Sequence, residues 1–331
     1  MHLENKINAF FDNVQIQKLR LTDVPLLVFF CGGDHHTETP EIHTPSMRYL
    51  VLEKIKECDG DLYRNIILAE TFQDWLNQNV DITNLIDLEV LLAELATLVV
   101  LIVEAPGAYA ELGAFSVINS IQTKLLPIVN TTLIHERSFI NFGPIDFLKN
   151  EKPETPITEL EWPIKVTCED NMIKSSVDMV DKNNINLIVN VIYDDIKTAL
   201  EKNTVSSPLL DIKQKGHIFL LIHEIIYILK AAIVKEIKNT LNVSFSIDIN
   251  SKDIKKYLYI LNKLGFTEES KIKKDGVNYY FSKLNYSLFK YSYHSKDTDL
   301  HRDKFVTEIL LYYYENDSRR QIAINNQGKG S

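Results

Sequence analysis

The first half of the chain alternates between short apolar runs and segments with apolar residues at helical spacing. The apolar runs predict buried strands, because a strand covered on both faces of its sheet carries few polar side chains. These runs are Leu26–Cys31, Asn65–Ala69, Thr97–Val103 and Leu125–Val129, with Pro163–Thr167 as a candidate last strand. Helices are predicted between them over residues 46–58, 85–96 and 108–121. Strands that alternate with helices predict an α/β fold with a doubly wound parallel sheet.

The segment that follows this pattern is harder to assign. Residues 151–162 are rich in Pro, Thr and Glu and have no periodicity, so we interpret them as a surface excursion. Residues 171–202 predict one long helix or a helix pair. The stretch Asn203–Pro208 is the expected boundary between a first domain, residues 1–204, and a second domain, residues 205–331.

The second domain has a different order of predicted elements. Helices are expected over residues 218–230, 231–241 and 251–264, the last ending at Gly265, a common helix C-cap. The turn Asp275-Gly276 between two extended runs then predicts a hairpin. Three helices followed by a hairpin are typical of a winged-helix module. Lysines of the third helix and of the hairpin are candidate contacts to a nucleic-acid backbone, namely Lys252, Lys255, Lys256, Lys271, Lys273 and Lys274. A protein-interaction module is the alternative.

Charge and composition agree with two different surfaces. Residues 1–204 carry 16 Lys and Arg against 31 Asp and Glu, a net of −15, whereas residues 205–331 carry 20 against 14, a net of +6. The basic second half suits a polyanion, although ordinary surface variation also explains the difference. The apolar run Leu98–Val103 is far shorter than the ~20 residues that span a bilayer. Three scattered cysteines and a polar start predict a cytoplasmic protein without a membrane segment.

Ligands of a parallel sheet bind at the carboxyl ends of its strands. This rule selects the turn after Cys31, which is Gly32-Gly33-Asp34, and the segment that follows Val103. In that segment Pro106-Gly107 precedes Glu111, which we place in the first turn of the next helix, and the small residues around it leave room for a ligand. A carboxylate there can attack an anomeric carbon or stabilise an oxocarbenium-like transition state. The alternative is a carboxylate that only complements the helix dipole.

Several motifs together resemble the nucleoside deoxyribosyltransferase family and, more closely, the deoxyribosyltransferase-like effectors encoded with bacterial retrons. They are Phe30-Cys31-Gly32-Gly33-Asp34, Leu92-Ala93-Glu94, Glu104-Ala105-Pro106-Gly107, Glu111-Leu112-Gly113-Ala114-Phe115 and Arg137-Ser138-Phe139-Ile140-Asn141-Phe142-Gly143-Pro144. They cover roughly residues 26–150 in the family's order. The resemblance implies a deoxyribosyltransferase-like sheet of the flavodoxin or Rossmann type, followed by a winged-helix domain.

The same resemblance implies the chemistry and the partners. It implies an N-glycosidase toxin of anti-phage defence that cleaves a nucleotide, NAD above all, and is restrained by a reverse transcriptase with its msDNA and non-coding RNA. Glu111 would be the nucleophile, and Cys31, Gly32, Gly33, Asp34, Pro106, Gly107, Ser138 and Asn141 would line the substrate site. No cofactor is expected beyond the nucleotide substrate. The sequence leaves open whether the chain forms a homo-oligomer or a filament.

One position departs from the family pattern. Deoxyribosyltransferases place an aspartate about six residues before the nucleophile, where this chain has Ala105. Glu104 is the candidate substitute, and Glu89 roughly matches a further acidic position of the family, so both are included as catalytic candidates. For Glu89 a solvated helix face is the alternative. The departure favours hydrolysis over base transfer.

Other functions remain open at this stage. A non-catalytic nucleotide sensor of the same fold, signalling through the winged helix, is the main alternative. A phosphoribohydrolase ranks third, because only Pro106-Gly107 and Glu111 fit its pattern. The histidines His35, His36 and His43 lie in a Thr/Pro/Glu-rich loop without ligand periodicity, so no metal site is predicted.

Overall fold

The computed structural model describes residues 3–33, 45–72, 84–132, 138–169, 172–204, 207–270, 277–296 and 301–327. They form two compact units. The sheet unit comprises residues 26–72 and 84–204, and the helical unit comprises residues 3–25 together with residues 207–327. The predicted boundary near residue 204 therefore coincides with a change of unit, but the first 25 residues, assigned by sequence to the first domain, belong to the helical unit.

The helices and strands are numbered in chain order. The helices are α1 Leu3–Asn13, α2 Met47–Cys58, α3 Gly60–Arg64, α4 Leu85–Leu95, α5 Pro106–Ser116, α6 Asn119–Gln122, α7 Asp146–Glu151, α8 Lys182–Thr204, α9 Lys215–Leu229, α10 Val234–Phe245, α11 Ser251–Lys263, α12 Arg302–Asn316 and α13 Ser318–Asn325. The strands are β1 Arg20–Leu21, β2 Val28–Cys31, β3 Ile66–Ile67, β4 Leu98–Val103, β5 Leu125–Asn130, β6 Thr158–Leu160, β7 Ile164–Glu169, β8 Met172–Val177, β9 Thr267–Glu269, β10 Tyr280–Ser282 and β11 Phe289–Lys290. Within the described residues, every helix is too short or too polar to cross a bilayer.

The sheet unit is built on a five-stranded parallel sheet in the order β3-β2-β4-β5-β6. Alternate residues of β2, β4 and β5 join α2 and α8 in one apolar core, as the two-residue period of a strand requires. On the opposite face, Phe29 of β2 lies with its ring centroid 6.4 Å from that of Phe115 in α5. Helices therefore cover both faces, which explains why β4 and β5 are buried at every position. The predicted α/β class with a central parallel sheet is confirmed.

The strand order places a switch point beside β2. The chain passes from β2 to β3 on one side of β2 and then returns to β4 on its other side. Adjacent crossovers that leave in opposite directions open a crevice at the carboxyl ends of the two strands, and ligands of such sheets bind there. The ends of β2 and β4 are Cys31 and Val103, so this crevice lies between the two segments that the sequence selected.

The helix predicted to begin after Ser46 is confirmed, and its start has a clear cause. The hydroxyl of Ser46 accepts a hydrogen bond from the backbone N–H of Tyr49 at 2.9 Å, which satisfies one of the free donors of the first turn. The helix ends at Cys58, as predicted, and Asp59 then accepts from the N–H of Leu62 to begin α3. No element was predicted from the sequence for the residues of α3.

The predictions for residues 151–202 were partly wrong. The expected surface excursion contains β6, which pairs with β5 as the fifth strand of the sheet. The expected last strand at residues 163–167 instead pairs antiparallel with β8, outside the parallel sheet, and α8 begins only at Lys182. β6 has only three residues and lies at the sheet edge, where half-exposed polar side chains are tolerated. Its composition therefore does not resemble that of a buried strand.

The helical unit packs α1 against α10 and α12. Phe10 of α1 stacks on Phe305 of α12 with ring centroids 4.4 Å apart. Further along the chain α9 is followed by Ala232, which bridges Tyr280 of β10, and then by α10, α11 and the antiparallel pair β9–β10. The predicted helix over residues 231–241 begins later, at Val234, because Ala231 and Ala232 run beside β10. The predicted turn at residues 275–276 lies outside the described residues.

Candidate active site

Two glycines at the end of β2 bring the backbone into close contact with neighbouring segments. Gly32 has φ of +149°, which L side chains rarely adopt, and a Cβ there would lie 3.1 Å from the carbonyl oxygen of Ile102. A Cβ on Gly33 would lie 2.8 Å from Oε1 of Glu104. Glycine is required at this turn, because the backbone conformation and the close approach both exclude a side chain. Asp34, predicted to line the same site, lies outside the described residues.

The carboxylate of Glu104 fixes this turn to the start of α2. Although it is buried, it accepts backbone N–H bonds from Gly33 at 3.2 Å, Met47 at 2.8 Å and Arg48 at 3.0 Å. Burial raises the pKa of Glu104, and these bonds act in the opposite direction. Its oxygens are thus engaged by the backbone, an arrangement that suits an anchor better than a group that exchanges protons with a ligand.

Arg48 is the second anchor, and the sequence analysis did not identify it. Its guanidinium is buried and donates to the carbonyl oxygens of Phe30 at 2.8 Å and Gly33 at 3.1 Å. It also binds both carboxylate oxygens of Glu70, at 2.7 and 3.1 Å, in a bidentate ion pair. Glu70 follows β3, so the pair ties the ends of β2 and β3 together. The sequence carried one signal for this role: Arg48 is a charged residue on the same helical face as the apolar Val51 and Ile55.

Glu111 lies in α5, close to the same cluster. It is the sixth residue of the helix, so its predicted position in the first turn was wrong, and the helix has no acidic residue in that turn. The dipole effect falls off within the first turn, which weakens the alternative that Glu111 only complements the dipole. Its Oε2 atom is buried and has no hydrogen-bond partner among the described residues, and the Cys31 thiol lies near enough to the carboxylate to act on its pKa.

The electrostatic surroundings of Glu111 hold a proton on it. Burial and the nearby Glu89 raise the pKa of Glu111 to about 8, and Arg48 acts in the opposite direction. Burial and Glu70 likewise raise the pKa of Glu89 to about 7. Glu89 projects from α4, the helix that leads into β4. Because both pKa values lie near neutrality, the two carboxyl groups can share one proton. Such a pair can supply both the acid and the base of a reaction in one site.

The raised pKa of Glu111 predicts a pH-dependent loss of stability. In the unfolded chain the group ionises near its ordinary pKa of 4.5, whereas in the folded chain it stays protonated up to about 8. Folding is therefore progressively disfavoured as the pH rises from about 4.5 to 8. We expect Glu111→Gln to raise the melting temperature at pH 8–9, by roughly 2–4 °C for each kcal/mol by which the free energy of unfolding increases. At pH 4 the substitution should leave the melting temperature unchanged.

Thermal unfolding followed by circular dichroism across this pH range checks the prediction. Glu94→Gln is the matched control, because Glu94 lies on α4, as Glu89 does, but accepts from Ser120 Oγ at 2.6 Å and is not among the groups that shift the pKa of Glu111. An equal gain in both variants, or a gain at pH 4, would contradict the electrostatic origin of the effect.

The other predicted substrate residues surround the start of α5. Pro106 and Gly107 are exposed, and a Cβ on Gly107 would meet no atom within 4 Å, so there is open space beside the helix. No side chain caps α5, and its first N–H groups are available to an anion or a sugar hydroxyl. Ser138 and Asn141 follow the end of β5 and are joined by a bond from the Asn141 N–H to Ser138 Oγ at 3.3 Å. Asn141 begins a π-helical turn that contacts α5.

The predicted nucleic-acid surface is described only in part. Lys252 and Lys255 are exposed on α11, and Lys256 beside them pairs with Asp253 at 3.3 Å. Lys271, Lys273 and Lys274 lie outside the described residues, as do the three histidines of residues 35–43. Where the chain is described, no group of three or more His, Cys, Asp or Glu side chains is arranged to hold a metal ion.

Comparison with known proteins finds a matching family and two similar relatives. A family model described as "STM3845 retron effector protein" matches residues 44–269, more than half of the chain. Two curated relatives from Escherichia coli are similar: "Retron Ec86 putative ribosyltransferase/DNA-binding protein", 29% identical over 163 residues, and "Retron Ec73 putative ribosyltransferase/DNA-binding protein", 27% identical over 135 residues. The matched segments cover 49% and 40% of this chain, and 48% and 41% of the two relatives.

Proposed function

We propose that this chain, which belongs to the STM3845 retron effector family, cleaves the N-glycosidic bond of a nucleotide with Glu111 as nucleophile. The observation that carries the proposal is the Oε2 atom of Glu111, which is buried at the switch point of the sheet and has no hydrogen-bond partner in the described part of the chain. A buried carboxylate oxygen without a hydrogen bond is costly to keep, unless a ligand completes its surroundings. A nucleotide sensor has no need of such an atom, so catalysis is favoured over sensing.

The reaction proceeds in two balanced steps. In the first, an oxygen of Glu111, ionised in the fraction of molecules in which it has given up its proton, bonds to C1′ of the sugar, the C1′–N bond breaks, and its electron pair leaves with the base. Glu89, in its protonated form, gives its proton to the departing base where that base would otherwise leave as an anion. In the second step, water attacks C1′, the bond to Glu111 breaks, and the proton of the water passes to the ionised carboxylate of Glu89. Glu89 is ionised at this point because it has given its proton to the base or, where the base leaves as a neutral molecule, because it entered the reaction ionised. The products are the free base and the sugar with its phosphates.

The remaining members of the cluster position these groups. Glu104 fixes the Gly33 turn to α2, and Arg48 holds the same turn through its bonds to two backbone carbonyl groups. The N-terminus of α5, uncapped by any side chain, offers backbone N–H groups for the phosphates of the substrate. We therefore assign Glu104 a positioning role, and its predicted catalytic role is not part of the proposal.

The charge of the cluster suggests which nucleotide is cleaved. Arg48 is paired with Glu70, so the negative charge that remains when Glu89 and Glu111 share one proton is only partly offset by Arg48 among the described residues. The nicotinamide ring of NAD carries a positive charge at the nitrogen bonded to C1′, and carboxylates nearby attract it. Nicotinamide also leaves as a neutral molecule without taking a proton. NAD is accordingly the proposed substrate, ahead of nucleotides with neutral bases.

Control by a reverse transcriptase and its msDNA and non-coding RNA is the second part of the proposal. Family membership supports it, and so does the DNA-binding function in the names of the two relatives. In the helical unit, α9, the bridge at Ala232, α10, α11 and the β9–β10 pair follow the order of a winged-helix module. The exposed lysines Lys252 and Lys255 of α11 are the proposed contacts to the nucleic acid.

Release of the base tests the proposal directly. The purified chain is incubated with NAD, with AMP and with NAD plus a free acceptor base, and the products are separated by chromatography. We expect nicotinamide release from NAD, without base exchange, and inhibition when the reverse transcriptase and its msDNA are added. Base exchange would show a transferase instead. Binding of the nucleotide without release of any base would favour the sensor.

The turn at Gly33 supplies a structural test of the same site. In Gly33→Ala the new Cβ displaces Glu104, which weakens its bonds to α2 and moves the turn that faces the substrate. Because misplacement of about 1 Å costs about 10²-fold in rate, we expect base release to fall by about that factor. Gly60→Ala is the control, since its Cβ meets only the tip of Arg64 at 3.8 Å. Equal rates in the two variants would contradict this positioning role.

A further inference from the structure

The helical unit contains a second cleft, separate from the candidate active site. It has a volume of about 610 Å³, within the range of small-molecule sites. The cleft is lined by the residues that follow β1, by residues in and around β11, and by the residues at the start of α12. Neither the family assignment nor the proposed glycosidase reaction uses any of these residues.

Aromatic rings form one side of the cleft. The rings of Tyr291 and Tyr293 are nearly parallel, with centroids 5.9 Å apart and planes at 9°. His301 continues the row, with its ring 4.1 Å from that of Tyr293 and planes at 11°. The Nε2 atom of His301 is buried and has no hydrogen-bond partner among the described residues. A row of parallel rings with a free polar atom is suited to stacking and hydrogen bonding a planar heterocycle.

Cations lie beside the aromatic row. The guanidinium of Arg302 lies 5.8 Å from the centroid of the Tyr291 ring and uses Nε to bind Asp303 at 3.0 Å. Its two Nη atoms have no partner within the described part of the chain, and neither does Nζ of the exposed Lys290. The N-cap residue of α12, His301, makes no side-chain cap bond, so within the described residues the first backbone N–H groups of this helix add to the positive potential.

Two carboxylates also line the cleft, and Glu224 accepts from the hydroxyl group of Tyr291 at 2.9 Å. Of the two, Asp303 is already engaged by Arg302, and Asp23 is exposed on the segment that follows β1. A carboxylate such as that of Asp23 accepts hydrogen bonds from sugar hydroxyl groups, as the acidic residue of dinucleotide-binding folds does. The cleft thus offers a stacking surface, an acceptor for a sugar and two cations for a phosphate.

We propose that this cleft binds a nucleoside monophosphate unit, with the base stacked on the outer face of His301, at the end of the Tyr291–Tyr293–His301 row, and the phosphate on Lys290 and Arg302. The unit is either a free nucleotide or the phosphorylated end of a nucleic-acid strand, since both present the same base and phosphate. The site does not depend on glycosidase activity, and its ligand is bound without being cleaved.

Binding measurements on the full chain test the proposal. All variants carry Glu111→Gln, so that no substrate is consumed, and the ligands are AMP, adenosine and a 5′-phosphorylated oligonucleotide, titrated by calorimetry. We expect the double variant Lys290→Gln/Arg302→Gln to bind AMP and the phosphorylated oligonucleotide with an affinity lower by about tenfold or more, because two charge-assisted contacts to the phosphate are lost. Binding of adenosine should not change. His301→Ala should weaken all three ligands by about fivefold or more through the loss of stacking.

The control replaces two exposed lysines of α10, Lys235→Gln with Lys238→Gln, which do not line the cleft. Thermal melting confirms that each variant is folded.

AMP and the oligonucleotide distinguish the two sources: stronger binding of AMP indicates a free nucleotide, and stronger binding of the oligonucleotide indicates a strand end. Unchanged affinities in the cleft variants, or equal losses in the α10 control, would overturn the proposal. Base release by chains that retain Glu111 should be the same with and without the cleft substitutions, which separates this test from that of the glycosidase.

Discussion

Glu111→Gln is expected to lower the rate of base release from NAD by at least about 10³-fold, since removal of a nucleophile commonly costs that much or more. Glutamine keeps the size of the side chain but cannot form the covalent bond to C1′ as a carboxylate does. It also avoids the unfavourable ionisation of Glu111, so the variant should fold at least as well as the native chain. The loss of rate can then be attributed to chemistry.

The same chromatographic assay, at a single NAD concentration well above half-saturation, measures the effect. Glu94→Gln is again the control, because it makes the same substitution on α4 at a carboxylate that bonds to Ser120. We expect this control to retain the native rate within about twofold. A Glu111→Gln chain with near-native base release would exclude Glu111 as nucleophile and return Glu89 to consideration for that role.

The main features of the sheet unit could be predicted because its strands are buried on both faces. The run Leu98–Val103 has no polar residue, and the structure makes it β4 without change. Once parallel strands are assumed, their carboxyl ends must lie at one edge, and Gly33 and Glu104 do meet there at 3.2 Å. The rule that locates ligands in such folds therefore also located the cluster of charged groups.

Other features depended on contacts that no local pattern encodes. The bidentate pair of Arg48 and Glu70 joins residues from α2 and from the segment after β3, and neither residue has a motif around it. β6 was missed because an edge strand of three residues needs neither alternation nor strong apolar character. The pKa values of Glu89 and Glu111 also depend on burial, which follows from the packing of α4 and α5 around the strand ends and not from the residues next to them.

Glu104 shows how the structure changes the interpretation of a residue. Its position next to Ala105 suggested a replacement for the family's aspartate, a group that would exchange protons with the base. The three backbone bonds that it accepts instead make it the link between the β2 turn and α2. Proton transfer is then left to Glu89, whose pKa of about 7 is better matched to that task near neutral pH.

Glu89→Gln should therefore affect substrates unequally. Adenine must take a proton to leave AMP, whereas nicotinamide leaves NAD as a neutral molecule. A positioned acid contributes about 10²–10⁴-fold, so in a single turnover, which reports the first step alone, we expect base release to fall by that factor for AMP and by less than about tenfold for NAD. Parallel base-release assays on the two substrates measure the ratio. Equal losses for AMP and NAD would assign Glu89 a structural role in the site.

The pH profiles provide the stronger form of this test. Cleavage of AMP requires one carboxyl group ionised and one protonated, so its rate should be greatest between pH 7 and 8 and fall on both sides. For NAD only the fall at acid pH is expected, because no proton is donated. In Glu89→Gln the repulsion that raises the pKa of Glu111 is removed, so the acid limb should move to lower pH for both substrates, and the alkaline limb for AMP should disappear. An acid limb that stays in place in this variant would mean that Glu89 and Glu111 do not share the proton, and the two-carboxylate mechanism would have to be abandoned.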